Sequence, residues 1–215
     1  MVAAPRPPTS RPPFGVVVPV RAFGRGGTRL APHLTPDERA HLARRLAERV
    51  VAAAGRAPVV VVSDDAEVVA WAADRGLRSA PDPGSLDAAA RAGAGVLARW
   101  GCVRTVVAHA DLPDVTTFAA VTRDAGGPVA VLVPCHRADG TPVLSLPTEV
   151  AVDFGFAYGP DSFRRHTAVA RAAGLAVRVV RDPHLAFDVD TPDDVAALLG
   201  REPGLLTGVD PVPAP

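Results

Sequence analysis

Val59-Val-Val-Val-Ser-Asp-Asp-Ala-Glu-Val-Val-Ala-Trp-Ala-Ala-Asp-Arg-Gly76 carries the pattern that decides the fold. Four successive valines form a β-branched apolar run without polar alternation, which predicts a short strand buried on both faces. Ser63-Asp-Asp65 is then a loop, and residues 66–75 read as a helix stopped by Gly76. The same unit recurs on either side. Upstream, residues 16–20 form a buried strand. Residues 35–54 form a helix, with Pro36, Asp37 and Glu38 in its first turn and Leu42, Leu46 and Val50 at a spacing of four. Downstream come a helix at 86–100, strands at 105–108 and 129–133, and two shorter strands at 142–146 and 149–154. A helix at 162–173 stopped by Gly174, a strand at 177–181 and a helix at 191–199 with Thr191 as cap and Pro192 at its first position complete the series. Strands alternating with helices predict an α/β domain over residues 14–200, with a mostly parallel central sheet covered by helices on both faces. The short strands near 142–154 are expected to add an antiparallel part. Residues 1–13 and 201–215 are Pro-rich and expected to be disordered tails.

The 215 residues suffice for one sizeable core, and 48% of them are hydrophobic. The formal net charge is zero, so nothing calls for nucleic acid or an acidic membrane surface as partner. The chain has no lysine, which excludes lysine chemistry. Its two cysteines, Cys102 and Cys135, sit in apolar stretches and are expected as buried free thiols. No stretch approaches the roughly 20 apolar residues that span a bilayer, so a cytoplasmic location is expected.

Ligands of such a sheet bind beyond the carboxyl ends of its strands. That rule selects loops 21–29, 63–65, 80–87 and 109–114. In the first, Arg21-Ala-Phe-Gly24-Arg25-Gly26-Gly27-Thr28-Arg29, the glycines let backbone N–H groups cradle phosphate oxygens, and Arg21, Arg25 and Arg29 neutralise a triphosphate. It matches neither the Walker loop nor the dinucleotide fingerprint. Asp111, in His109-Ala-Asp-Leu-Pro113, follows the strand at 105–108. It is placed to hold a magnesium ion that bridges phosphates, or to cap a helix. Asp188 and Asp190 point the same way in an extended segment, and two such carboxylates repel unless a cation joins them. With Asp111 they would form a three-carboxylate Mg²⁺ site. In Tyr158-Gly-Pro-Asp-Ser162-Phe-Arg164-Arg165-His166 a turn enters a helix whose unpaired N–H groups offer an anion site. Asp82 and Asp87, around Gly84, could accept hydrogen bonds from a base or ribose. Asp139-Gly-Thr141 is an ordinary turn signal.

Taken in order, these segments resemble the guanylyltransferases of coenzyme F-420 (deazaflavin) biosynthesis, whose members act on 2-phospho-L-lactate or phosphoenolpyruvate. The carrying strings are Thr28-Arg29-Leu30-Ala31, Val61-Val-Ser-Asp64, Asp82-x-Gly84, Asp111-Leu-Pro113, Gly140-Thr141, Phe156-x-x-Gly159-x-x-Ser162-x-x-x-His166 and Asp188-Val-Asp190-Thr-Pro192. The resemblance implies a nucleotide-diphospho-sugar-transferase-like fold, GTP and a phosphorylated three-carbon acid as substrates, and pyrophosphate as product. It implies metal ligands at Asp111, Asp188 and Asp190, and an acid held around Thr141, Gly159, Ser162 and His166. It places the nucleotide on the first loop with Asp64, Asp82, Gly84 and Asp87, and gives Arg25, Arg29 and Asp111 catalytic roles. A downstream transferase of the same pathway is a further expected partner. The chain differs from the usual pattern in having Arg21 and Gly27 where lysines are usual, Asp87 where Asn is usual, and Pro142-Val143 after Gly140-Thr141. Two rival readings keep the fold: transfer to another phosphorylated acceptor, and a catalytically dead paralogue serving as a binding subunit.

Overall fold

A computed structural model describes residues 12–24, 28–123 and 127–207. Seven strands form one sheet: β1 (Gly15–Pro19), β2 (Val59–Val62), β3 (Arg78–Ala80), β4 (Arg104–Ala108), β5 (Val129–Val133), β6 (Val143–Pro147) and β7 (Ala176–Val179). Their order is β3-β2-β1-β4-β6-β5-β7. Every pairing is parallel except those of β6, which runs antiparallel to both β4 and β5. The expected parallel sheet with an antiparallel part is therefore present.

Strand residues alternate between two cores, as their two-residue period requires. Val16, Val18, Val61 and Val106 pack on one face with α1 (Pro36–Ala53) and α2 (Ala66–Asp74). Val17, Val60, Val107 and Leu144 pack on the other with α3 (Leu86–Arg99) and α6 (Ser162–Ala172). Helix α3 lies so close to β1 that a Cβ at Gly93 would stand 2.3 Å from a methyl of Val17. A third cluster joins α1 to α8 (Pro192–Arg201) through Leu42, Leu46, Val195 and Leu198. Thr35 and Thr191 cap these helices with full capping boxes.

Three expectations change. Residues 149–154 are not a strand. The chain forms a one-turn helix, α5 (Thr148–Ala151), because the β4–β6 ladder ends where Arg104 meets Pro147. Thr148 then bonds Thr105 and the carbonyl of Val103 instead. Short β3 and the one-turn helices α4 (Ala119–Thr122) and α7 (Pro183–Ala186) had no periodic signal to announce them. Residues 201–207, read as tail, are packed: Leu205 is buried in the third cluster and Glu202 pairs with Arg49 at 2.8 Å. The tail assignments at 1–11 and 208–215 lie outside the described residues. Among the described residues no helix is long and apolar enough to cross a membrane, and Cys102 and Cys135 are free and buried.

Candidate active site

The carboxyl ends of β1, β2 and β4 open on one side of the sheet. Because β6 is antiparallel, its start lies beside the end of β4, with Val143 opposite Ala108. This brings Gly140-Thr141 next to His109 and Asp111, and a bond from His109 N–H to the Pro142 carbonyl fixes the junction. The Asp188–Asp190 segment is drawn over the same strand ends by a bond from Val189 N–H to the Asp111 carbonyl, 3.1 Å. Two adjoining cavities result, of about 370 and 730 Å³. They share Arg21, Leu86, His109 and Asp190, so they form one continuous cleft.

The carboxylates gather around an arginine that the sequence reading did not single out. Arg137 donates to Asp188 at 3.0 Å, to Asp194 at 2.8 Å and to Asp190 at 3.4 Å. His136 stands against Asp188 and Asp194 at 3.2 and 2.9 Å. Asp188 and Asp194 are nearly inaccessible, whereas the side chain of Asp190 is 42% exposed and also lies 3.5 Å from Arg29. Asp111 is half-buried and its Oδ1 has no hydrogen-bond partner. Burial, followed by repulsion from Asp190, pushes the Asp111 carboxyl up to about 7. Burial and then Asp111 push Asp188 up to about 6. Among the described residues, no group of three or more His, Cys, Asp or Glu side chains is arranged to hold a metal ion as the site stands. Arg137 occupies the place of the counter-cation. The donor chemistry nevertheless fits a hard cation: oxygen ligands only, one orphaned carboxylate oxygen, and like charges held against one another.

Among the residues expected from the sequence to meet the nucleotide, Arg21 reaches the carbonyl of Gly84 at 3.4 Å. Asp64 accepts from Asp82 N–H at 3.0 Å, and Asp82 accepts from Gly84 N–H at 2.9 Å, so these two acids shape the loop. Asp87 accepts from Tyr158 N–H at 2.7 Å, tying α3 to the far wall of the cleft. A Cβ on Gly24 would meet open space, so no steric need for glycine arises there. Arg25, Gly26 and Gly27 lie outside the described residues, and Thr28 opens a single 3-10 turn with Arg29 and Leu30.

Gly159 and Ser162 line the larger cavity with Gly140 and Tyr158. The start of α6 is not the open anion site its sequence suggests. Ser162 N–H is taken by the Gly159 carbonyl and Phe163 N–H by that of Asp139, each at 3.1 Å. The Ser162 side chain is buried and its hydroxyl bonds Thr141 Oγ1 at 3.3 Å. His166 is fully buried, accepts from Ala157 N–H at 2.9 Å and contacts Thr141 Oγ1 through Nδ1 at 3.1 Å. Burial, followed by Arg165, brings its pKa down to about 4, so it is neutral near pH 7 and positions Thr141. The sequence had placed it among the groups that hold the acid directly.

The fold is similar to that of solved nucleotidyl transferases. A structure from Desulfovibrio desulfuricans assigned to the nucleotide-diphospho-sugar transferases superposes with a TM-score of 0.70 at 19% identity, covering 91% of this chain and 97% of that one. A nucleotidyl transferase from Methanothermobacter thermautotrophicus gives 0.61 at 14% identity, covering 87% and 96%. These likenesses define the fold class. The model of the family described as "Guanylyl transferase CofC like" matches residues 14–203, and the chain belongs to that family. A phosphoenolpyruvate guanylyltransferase of Sphaerobacter thermophilus is 37% identical over 194 residues, 87% of this chain and 93% of the relative. A 2-phospho-L-lactate guanylyltransferase of Methanothermobacter thermautotrophicus is 27% identical over 191 residues, 85% and 82%.

Proposed function

We propose that this protein transfers the guanylyl group of GTP to a phosphorylated three-carbon acid, phosphoenolpyruvate or 2-phospho-L-lactate, and releases pyrophosphate, as a cytoplasmic step of coenzyme F-420 biosynthesis. The observation that carries the proposal is a cleft, in a chain of this family, that is lined by Arg21, Arg29 and Arg137, by the carboxylates Asp111, Asp188 and Asp190, and by Gly159 and Ser162. The acid's phosphate is already ionised, so no general base is needed. One of its oxygens attacks the α-phosphorus of GTP, a P–O–P bond forms, and the α–β bridging bond breaks with its electrons leaving on pyrophosphate. The protein contributes alignment and charge neutralisation.

Arg21 and Arg29 stand where the triphosphate would lie, Arg29 beside Asp190. Arg137 keeps Asp188, Asp190 and Asp194 from driving the anionic substrates away. Asp111, Asp188 and Asp190 would hold Mg²⁺, which supplies neutralisation of the phosphates when bound. The product is an activated anhydride, which a downstream transferase would consume. With GTP and Mg²⁺ the protein should release pyrophosphate only when a suitable acid is added. Release that is equally fast with CTP, or absent with every phosphorylated three-carbon acid, would overturn the proposal.

The raised carboxyls give a pH prediction. Folded Asp111 titrates near 7 instead of 3.8, so the folded protein holds a proton that the unfolded chain has lost. The stability this lends is complete below about pH 4 and is lost as pH rises through about 7. A divalent cation must displace the same proton. Affinity for Mn²⁺, followed by electron paramagnetic resonance, should therefore rise between pH 6 and pH 8. A flat profile would remove Asp111 from the metal site.

A further inference from the structure

Tyr158 stands on the wall of the larger cavity, between Gly159 and the ring of His109. Its backbone is fixed at both ends: the N–H is held by Asp87 at 2.7 Å, and the carbonyl accepts from Arg165. Its ring is fixed as well. It lies parallel to Phe156 at 6.1 Å, meets His166 edge to face at 4.6 Å, and sits 5.4 Å from the ring of His109. The residue is 8% exposed, yet its hydroxyl has no hydrogen-bond partner. His109 lines the same cavity, and its buried Nε2 also has none.

Folded proteins leave few buried polar atoms unpaired, and each exception calls for a cause. Here two such atoms belong to residues on one wall of one cavity, and the rest of Tyr158 is fully engaged. A phenylalanine would fill the same aromatic stack without leaving an unpaired hydroxyl. The missing partners are best supplied by a ligand.

We propose that the Tyr158 hydroxyl and His109 Nε2 bind oxygen atoms of the phosphorylated acid, which makes Tyr158 a specificity residue for the acid and not for the nucleotide. This rests on the guanylyl-transfer reading given above. The lining of the cavity supports it, because Tyr158 and His109 border it together with Gly159 and Ser162, where the family resemblance places the acid, and Arg137 lines it as well. Burial raises the phenol's pKa, so near neutral pH it remains an O–H donor, suited to a carboxylate or phosphate oxygen.

The test is Tyr158→Phe, with phosphoenolpyruvate binding measured by calorimetry beside steady-state kinetics. The ring stack survives and an unpaired hydroxyl is lost, so the melting temperature should hold or rise. Affinity for phosphoenolpyruvate should fall at least about tenfold, while the KM for GTP stays within about twofold. His109→Gln, which keeps a hydrogen-bonding side chain, should show a smaller loss confined to the acid. A Tyr158→Phe protein that binds the acid as tightly as wild type overturns the inference, as does one that melts lower and loses both substrates alike. Wild-type protein that binds the acid but transfers nothing from GTP overturns the functional reading alone. Wild-type protein that binds no phosphorylated three-carbon acid overturns both.

Discussion

Asp190→Asn should abolish turnover while the protein melts as wild type. Asp190 belongs to the carboxylate group proposed to hold Mg²⁺, and its side chain is 42% exposed against 6% for Asp188. Its pairs with Arg29 and Arg137, at 3.5 and 3.4 Å, are long and partly solvated, so they add little to stability. The backbone N–H of residue 190, bonded to Asp194 at 3.1 Å, is untouched by the change. Asn keeps the shape and removes the charge. On the proposed role, losing that charge leaves phosphate repulsion unscreened and costs on the order of a thousandfold in kcat. Pyrophosphate release against a thermal melt separates the two effects. Activity within about tenfold of wild type would take Asp190 out of the metal site.

Arg137→Met should show the opposite split, with stability lost first. Asp188 and Asp194 are almost wholly buried, and Arg137 is hydrogen-bonded to both. Without the guanidinium two buried carboxylates face each other with only His136 between them. Removing one partner of a buried ion pair typically costs about 3 kcal/mol, because it strands the charge left behind. In a domain of this size that lowers the melting temperature by roughly 6–12 °C. Arg137→Lys should recover only part of the loss, since one ammonium cannot reproduce the fork that reaches three carboxylates. If the carboxylates bind Mg²⁺, the ion should restore more stability to the methionine variant than to wild type. A methionine variant that melts normally would show that Arg137 does not neutralise this cluster.

The sheet was legible because its signal is local. The runs at 16–20, 59–62 and 129–133 are valine-rich and contain no polar residue, as expected of a strand buried on both faces. The neighbourhood of the site was legible for a second reason, since strand ends of an α/β sheet are where ligands bind. Asp111 and the Asp188–Asp190 pair were found by that rule and by spacing. The rest of the cleft depends on contacts that no local pattern encodes. Arg137 meets Asp188 and Asp194 across 51 and 57 residues of sequence. A charged Cys135-His-Arg137 step directly after a buried strand was the only available signal, and it is a weak one. The start of α6 misled for a related reason. Asp161, with φ of 56°, turns the chain so that Ser162 and Phe163 donate to nearby carbonyls, and no spacing rule forecasts that. The family resemblance set His166 among the groups around the acid, but burial makes it a neutral support for Thr141.

Guanylyl transfer is tested most directly by following the two ends of GTP. The protein would be incubated with Mg²⁺, phosphoenolpyruvate and GTP radiolabelled at either the α- or the γ-phosphate. If the acid's phosphate attacks the α-phosphorus, the α-label will appear in a new anhydride that contains the acid, and the γ-label wholly in pyrophosphate. Recovery of the α-label only as GTP, GDP or free GMP, or movement of the γ-label onto the acid, would contradict the account.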